Sequence, residues 1–149
     1  LCFFIILEKT IMETRDSLLI SLRPDITSAK ISTNMSADEY FQNKTLRPVV
    51  KLQHDLLLAA FKNYVGKHKN VFYSLNVEKK LEYIENAIQK DIKFRNSLKG
   101  MVIGQFTIEE FERYIQNSSA LNKRMMDLVK ERLKDNLLYF DPIALLVAQ

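Results

Sequence analysis

"FRNSLKGMVIGQFTIEEF", residues 94–111, sets Gly100 and Gly104, two of the chain's three glycines, between Lys99 and the pair Thr107 and Glu110. If the glycines cradled a phosphate the fold would be α/β, because a phosphate loop follows a strand and closes on Gly-Lys-Ser/Thr after four intervening residues. That ending is missing, and the residues ahead of Lys99 recur at helical spacing. "TIEE" instead reads as a capping box, in which a Thr side chain and the Glu three residues on satisfy each other's backbone amides at a helix start. A helix therefore begins at Thr107, and the one before it stops at Gly104 or Gln105. Glycine disfavours a helix interior by about 1 kcal/mol, so the pair marks helix termination or helix packing.

The same signals recur on both sides. Ser36 and Glu39 in "SADE" form a second capping box and predict a short helix over 37–43. Thr45 reads as the N-cap of the next helix, whose first turn tolerates Pro48 because its amides have no intrahelical partner. Leu46, Val49, Val50, Leu56, Leu57, Ala60, Phe61, Tyr64 and Val65 give that helix an apolar stripe, and Gly66 is placed to end it. Asn76 caps a long helix with Leu81, Ile84, Ile88, Ile92 and Leu98 on one side. Asn117 or Ser118 caps a last helix carrying Leu121, Met125, Leu128, Val129, Leu133 and Leu137 and ending before Pro142. Three glycines and three prolines are too few for a turn-rich sheet. The expected fold is all-α, an antiparallel bundle of about four main helices plus a short N-terminal helix.

A chain of 149 residues is of single-domain size. We divide it into an ill-ordered arm over 1–35, with one short turn of helix near 16–22, a helical domain over 36–140 and a tail over 141–149. The apolar start "LCFFIIL" is far short of the roughly 20 residues needed to cross a bilayer, and no signal-peptide pattern accompanies it. Met12 is the expected native start, with Leu1 to Ile11 as translated upstream sequence. Neither terminus reads as an anchor, so no membrane association is expected. Cys2 is the only cysteine, which rules out an intrachain disulfide and a thiolate metal cluster and suits a cytoplasmic protein.

Net charge is +4, unevenly spread: residues 44–99 carry twelve Lys/Arg against five Asp/Glu. "GKHKN" with Phe72 and Tyr73 could touch phosphates and stack a base, although no nucleic-acid-binding motif accompanies it. Asp91 and Arg95, one turn apart, read as a helical ion pair, or as part of a buried network with Asn96, Asn122 or Arg124. "SSALNKRMM" places Ser118, Ser119, Asn122, Lys123 and Arg124 at a helix start, where free amides and the positive dipole end can hold an anion. Arg95, Asn96, Lys99, Ser118, Ser119, Asn122, Lys123 and Arg124 are therefore the candidate contacts for a ligand or partner. No residue is assigned a catalytic role. His54 and His68 have no metal-motif spacing; His54 with Glu39 and Glu109 is the one conceivable metal set, and neither a metal nor a cofactor is expected.

The runs "FQNKTLRPVVKLQHDLLLAAFKNY", "KKLEYIENAIQKDIKFRNSLKGMVIGQFT" and "YIQNSSALNKRMMDLVKERL" resemble a small, largely uncharacterised family of bacterial all-helical proteins over residues 35–140. Some of its members carry the label "glyoxalase". The metal-binding glyoxalases of that name are built from paired βαβββ units, a pattern foreign to this chain, so the resemblance supplies no catalytic residue. The primary functional expectation is a binding or regulatory module with an unknown protein partner. The alternatives are a glyoxalase-like lyase acting on an α-oxoaldehyde and weak nucleic-acid binding through the basic middle. Phe106, Phe111, Leu138, Tyr139 and Phe140 are the apolar surplus through which copies could self-associate.

Overall fold

The structure is a computed structural model that describes residues 14–26 and 31–140. The expected start at Met12, the segment before it and the tail over 141–149 lie outside the described residues. Among those residues every regular element is helical and none is a strand, so the protein is all-α. None of the described helices is long and apolar enough to cross a membrane. The helices are α1 (Arg15–Leu22), α2 (Ala37–Phe41), a π-helical turn (Gln42–Leu46), α3 (Arg47–Leu52), α4 (His54–Lys67), α5 (Val77–Lys90), α6 (Ile92–Ile103), α7 (Ile108–Gln116) and α8 (Ser118–Asp135). Short 3₁₀ turns occupy Val71–Ser74 and Leu137–Phe140.

This segmentation is finer than four main helices and a short one, and each extra boundary has a local cause. Thr45 is not an N-cap: the chain runs from α2 into α3 without a break, through the π turn. Pro48 lies in the first turn of α3 and has no amide to give, and the Arg47 amide just before it bonds the Gln42 carbonyl five residues back. At Gln53 the backbone leaves helical geometry (φ −86°, ψ 9°) and the side-chain amide donates to the Met101 carbonyl at 2.7 Å. Asp91 (φ −90°, ψ 97°) divides the expected long helix and accepts from the Phe94 amide as the N-cap of α6. The turn in the chain takes Ile92 off the apolar stripe and leaves it 60% exposed. Gly66 does not end α4, which runs on to Lys67; Lys69 and Asn70, at φ 62° and 58°, make the turn. Gly104 is the C-cap of α6, as termination requires. A Cβ added there would lie 3.0 Å from the Gly100 carbonyl oxygen, whereas one at Gly100 would meet nothing within 4 Å, so the glycine pair does not bring two backbones together.

Helix α8 is the hub: α3, α4, α5, α6, α7 and the π turn all pack against it. Its period-3.6 set Leu121, Met125, Leu128, Val129 and Leu133 is buried. Phe61 on α4 anchors an aromatic cluster, with ring centroids 4.9 Å from Phe140 and 5.3 Å from Phe72 in edge-on geometry. Phe106 and Phe140 are therefore core residues, leaving only Phe111, Leu138 and Tyr139 of the expected surplus exposed. Phe72 is likewise fully buried and Tyr73 packs against the core, which takes Phe72 out of any base-stacking role.

Within the expected arm, α1 is a helix with its own N-cap, Thr14 accepting from the Ser17 amide. It is tied to the turn between α6 and α7. Arg15 donates to the carbonyls of Gly104 and Phe106, and Asp16 accepts from the Ile108 amide at 3.0 Å. Beyond α1, Arg23 forms a two-pronged pair with Glu110 at 2.7 and 2.6 Å and also donates to the Gln105 carbonyl. Glu110 completes the capping box with Thr107 and accepts from the Thr45 hydroxyl at 2.7 Å. Burial alone would raise this carboxyl; the Arg23 guanidinium, the Thr107 amide and the Thr45 hydroxyl outweigh it and hold the group at about 2, below its ordinary 4.5.

The sign follows from linkage: a carboxyl depressed on folding stabilises the fold above its unfolded value and loses that contribution as pH falls toward its folded value. Urea unfolding of the parent should therefore weaken as pH drops from 4.5 toward 2. Glu110→Gln should cost roughly 3 kcal/mol at pH 7, since it strands Arg23 without its partner. It should also flatten that pH dependence. Equal slopes for the two proteins would show that Glu110 is not the titrating group.

Candidate functional site

The break at Asp91 sets the α5–α6 junction beside the first turns of α8. A cleft of about 440 Å³ opens there, lined by Arg95 and Lys99 of α6, by Ser119, Asn122 and Lys123 of α8, and by Gln89 and Ile88 at the end of α5. The α8 contributors Ser119, Asn122, Lys123, Met126, Asp127 and Lys130 stand at positions i, i+3, i+4, i+7, i+8 and i+11, one face of one helix. Five residues expected as ligand contacts thus come together: Arg95, Lys99, Ser119, Asn122 and Lys123.

The other three do not join them. Asn96 is exposed and outside the lining. Ser118 opens α8, half-buried and also outside the lining. Arg124 is turned a quarter-circle from the cleft face and donates to the Gln42 side chain of the π turn at 2.6 Å. The anticipated shared network is absent from the described residues. Asn122 accepts instead from the buried Tyr114 hydroxyl at 2.6 Å, and Arg95 donates to the Gln89 carbonyl at 3.2 Å rather than pairing with Asp91. Asn117 is the N-cap of α8 by position, yet its amide is spent on both oxygens of Asp38.

The electrostatics are one-sided. Lys99 and Lys123 have no hydrogen-bond or ion-pair partner among the described residues, and Arg95 meets only a carbonyl. The single acid among the described lining residues, Asp127, is 3.2 Å from Lys130. Lys130 also pairs with Glu85 at 2.9 Å. Burial would lower the Lys130 ammonium, but Glu85 and Asp127 outweigh it and raise it above its ordinary value. Glu85 is lowered in turn by its bonds to Lys134 and Lys130. Sequence reasoning missed Gln89 and Lys130. Lys130 could have been found, because it follows Lys123 by two turns on the same face; Gln89 could not, since only the break at Asp91 brings it in.

On the opposite side of the junction lies a groove of about 570 Å³, lined by Tyr64, His68, Tyr83 and Lys90 among others. Tyr64 is sandwiched between His68 (4.0 Å) and Phe94 (4.2 Å), so neither ring face is free to stack a base. Burial, with the charge and hydrogen bond of Asp91, pushes its hydroxyl up to about 12. No group of three or more His, Cys, Asp or Glu side chains among the described residues is arranged to hold a metal. His54 and Glu109 are engaged elsewhere, with Arg132 and Arg113.

Compared with protein-family models, curated proteins and solved structures, the chain matches none.

Asp91 caps α6, the helix that carries Arg95 and Lys99. Replacing an N-cap carboxylate by Ala costs about 1 kcal/mol, while Asn keeps most of the cap. Asp91→Ala should therefore lower thermal stability and Asp91→Asn should restore most of it. If the two variants unfold alike, the side chain is not capping α6.

Proposed function

We propose that this protein is a binding or regulatory module that holds an acidic segment of a partner protein in the cleft between α6 and α8. The observation that carries the reading is the convergence of Arg95, Lys99 and Lys123 on one cleft with no described carboxylate paired to any of them. Unpaired cations on two elements around a concave surface attract an anion by long-range field and reward one whose charges reach all of them. Ser119 and Asn122 add short polar groups at the positive end of α8. The buried thioether of Met126 and the side chain of Ile88 give the cleft an apolar floor on which a peptide side chain can rest.

An acidic peptide suits this lining better than a nucleic acid. Among the described residues no aromatic ring lines the cleft, so bases have none of these to stack on, and stacking supplies much of single-strand affinity.

Fluorescence anisotropy with a labelled oligoglutamate peptide, and in parallel with a single-stranded oligonucleotide of equal charge, decides between them. The peptide should bind the full chain at low salt, and Arg95→Gln with Lys123→Gln should weaken it about tenfold, the loss of two solvent-accessible ion pairs worth up to about 1 kcal/mol each. Preference for the oligonucleotide would transfer the reading to nucleic acid. Binding of neither, or an unchanged affinity in the double variant, would reduce these residues to ordinary surface charge.

A further inference from the structure

A second cluster of cations lies at the far end of α8. The cleft there, about 310 Å³, is lined by Arg47 and Lys51 of α3 and by Arg132 and Asn136 at the end of α8, with Glu131 and Asp135 beside them. Among the described residues none of the three cations has a carboxylate within ion-pair distance. Arg47 spends its Nε on the Asn43 side chain at 3.0 Å, and Lys51 reaches only the Asp25 carbonyl at 3.3 Å. Arg132 is the unusual member. Among the described residues its buried Nε has no partner, and its one hydrogen bond is from a terminal nitrogen to His54 Nδ1 at 3.0 Å, a dipole and not a counter-charge.

A half-buried guanidinium that is short of both a hydrogen bond and a counter-ion is costly. Burial lowers Arg132 from its ordinary value, and Asp135 and Glu131 act in the opposite sense. Those two acids are exposed on the rim, whereas Arg47 and Arg132 are half-buried. Asn136 donates to the Arg132 carbonyl at 2.6 Å and holds the end of the helix in place. Among the described residues the charges set deepest in the cleft are thus those of Arg47 and Arg132, beside the buried Val50 and Leu128, while Lys51, Glu131 and Asp135 are exposed.

We infer that the cleft between α3 and the end of α8 is a second anion site, taking a small ligand that bears a phosphate or carboxylate group. The planar forks of Arg47 and Arg132 match such oxyanions, and Lys51 adds a mobile third charge. A cleft of this volume admits a small anion or the anionic end of a larger molecule. The site shares no lining residue with the cleft between α6 and α8, so it stands or falls independently of the acidic-peptide reading.

The direct probe is the side-chain Nε–Hε signal of Arg132 in nitrogen-15 spectra of the full chain, assigned by its loss in Arg132→Lys. Inorganic phosphate and malonate are titrated separately against chloride at equal ionic strength. The expected result is a saturable shift of the Arg132 signal with phosphate, with malonate or with both; which of them acts tells a phosphate ligand from a carboxylate one. Arg47→Gln should raise the apparent Kd about tenfold, the loss of one charged fork. Lys51→Gln should raise it less, and Lys123→Gln should leave it unchanged. The inference is overturned if chloride moves the signal as far as either oxyanion. It is also overturned if folded Arg47→Gln and Lys51→Gln titrate like the parent, or if Lys123→Gln weakens binding as much as Arg47→Gln.

Discussion

One half-buried carboxylate, that of Glu110, joins three parts of the chain that are far apart in sequence. Its oxygens accept from Arg23 beyond α1, from the Thr45 hydroxyl in the π turn and from the Thr107 amide at the head of α7. A carboxylate has about four acceptor sites, and here they are filled by a guanidinium, a hydroxyl and an amide. Removing any partner leaves the others partly unsatisfied in a poorly hydrated place, so the node acts as a unit. It explains why α1 lies along the α6–α7 turn and why the π turn persists: a regular α-helix would rotate Thr45 to a different azimuth.

From that node the architecture passes to α8, which serves three purposes on three faces. One face is apolar and fills the core. The face carrying Ser119, Asn122, Lys123 and Lys130 closes the cleft against α6, and the end carrying Arg132 and Asn136 closes a smaller cleft against α3. Arg124, between the first two, is committed to Gln42 in the π turn. The same helix therefore couples the two basic clefts to the packed interior, and a change in its seating would be felt at both. The Asp91 break is the complementary constraint, because it turns the end of α5 and the start of α6 toward the first turns of α8.

Much of this was legible in the residues. Both capping boxes lie where their Ser or Thr and Glu place them, although in the first only the Ser36 bond is formed and it is Thr107 that closes both halves. The core face of α8 follows its heptad-like spacing, and five of eight candidate contacts meet because helical periodicity had already put three of them on one face. What escaped the sequence was non-local or stereochemical. Asp91 resembles a helix-interior acid paired with Arg95 until the backbone turns there. Thr45 resembles an N-cap, since the same hydroxyl serves a cap or a distant carboxylate equally well. Arg23 sits in a stretch rich in Ser, Thr and Pro that reads as unstructured; its partner lies 87 positions away, beyond any local pattern. Arg47 and Arg132 carry no signal at all, because having no paired carboxylate among the described residues is a property of the packed chain.

The most direct test of the account is a double-mutant cycle on Arg23→Met and Glu110→Gln, read by urea unfolding at neutral pH. If Glu110 is the node that fastens the arm to the helical core, the two substitutions should couple by about 2 kcal/mol, with most of the loss present in either single variant. A coupling below about 0.5 kcal/mol, with additive single effects, would contradict it. In that case the arm would be held by α1's remaining contacts, and the π turn would need another cause.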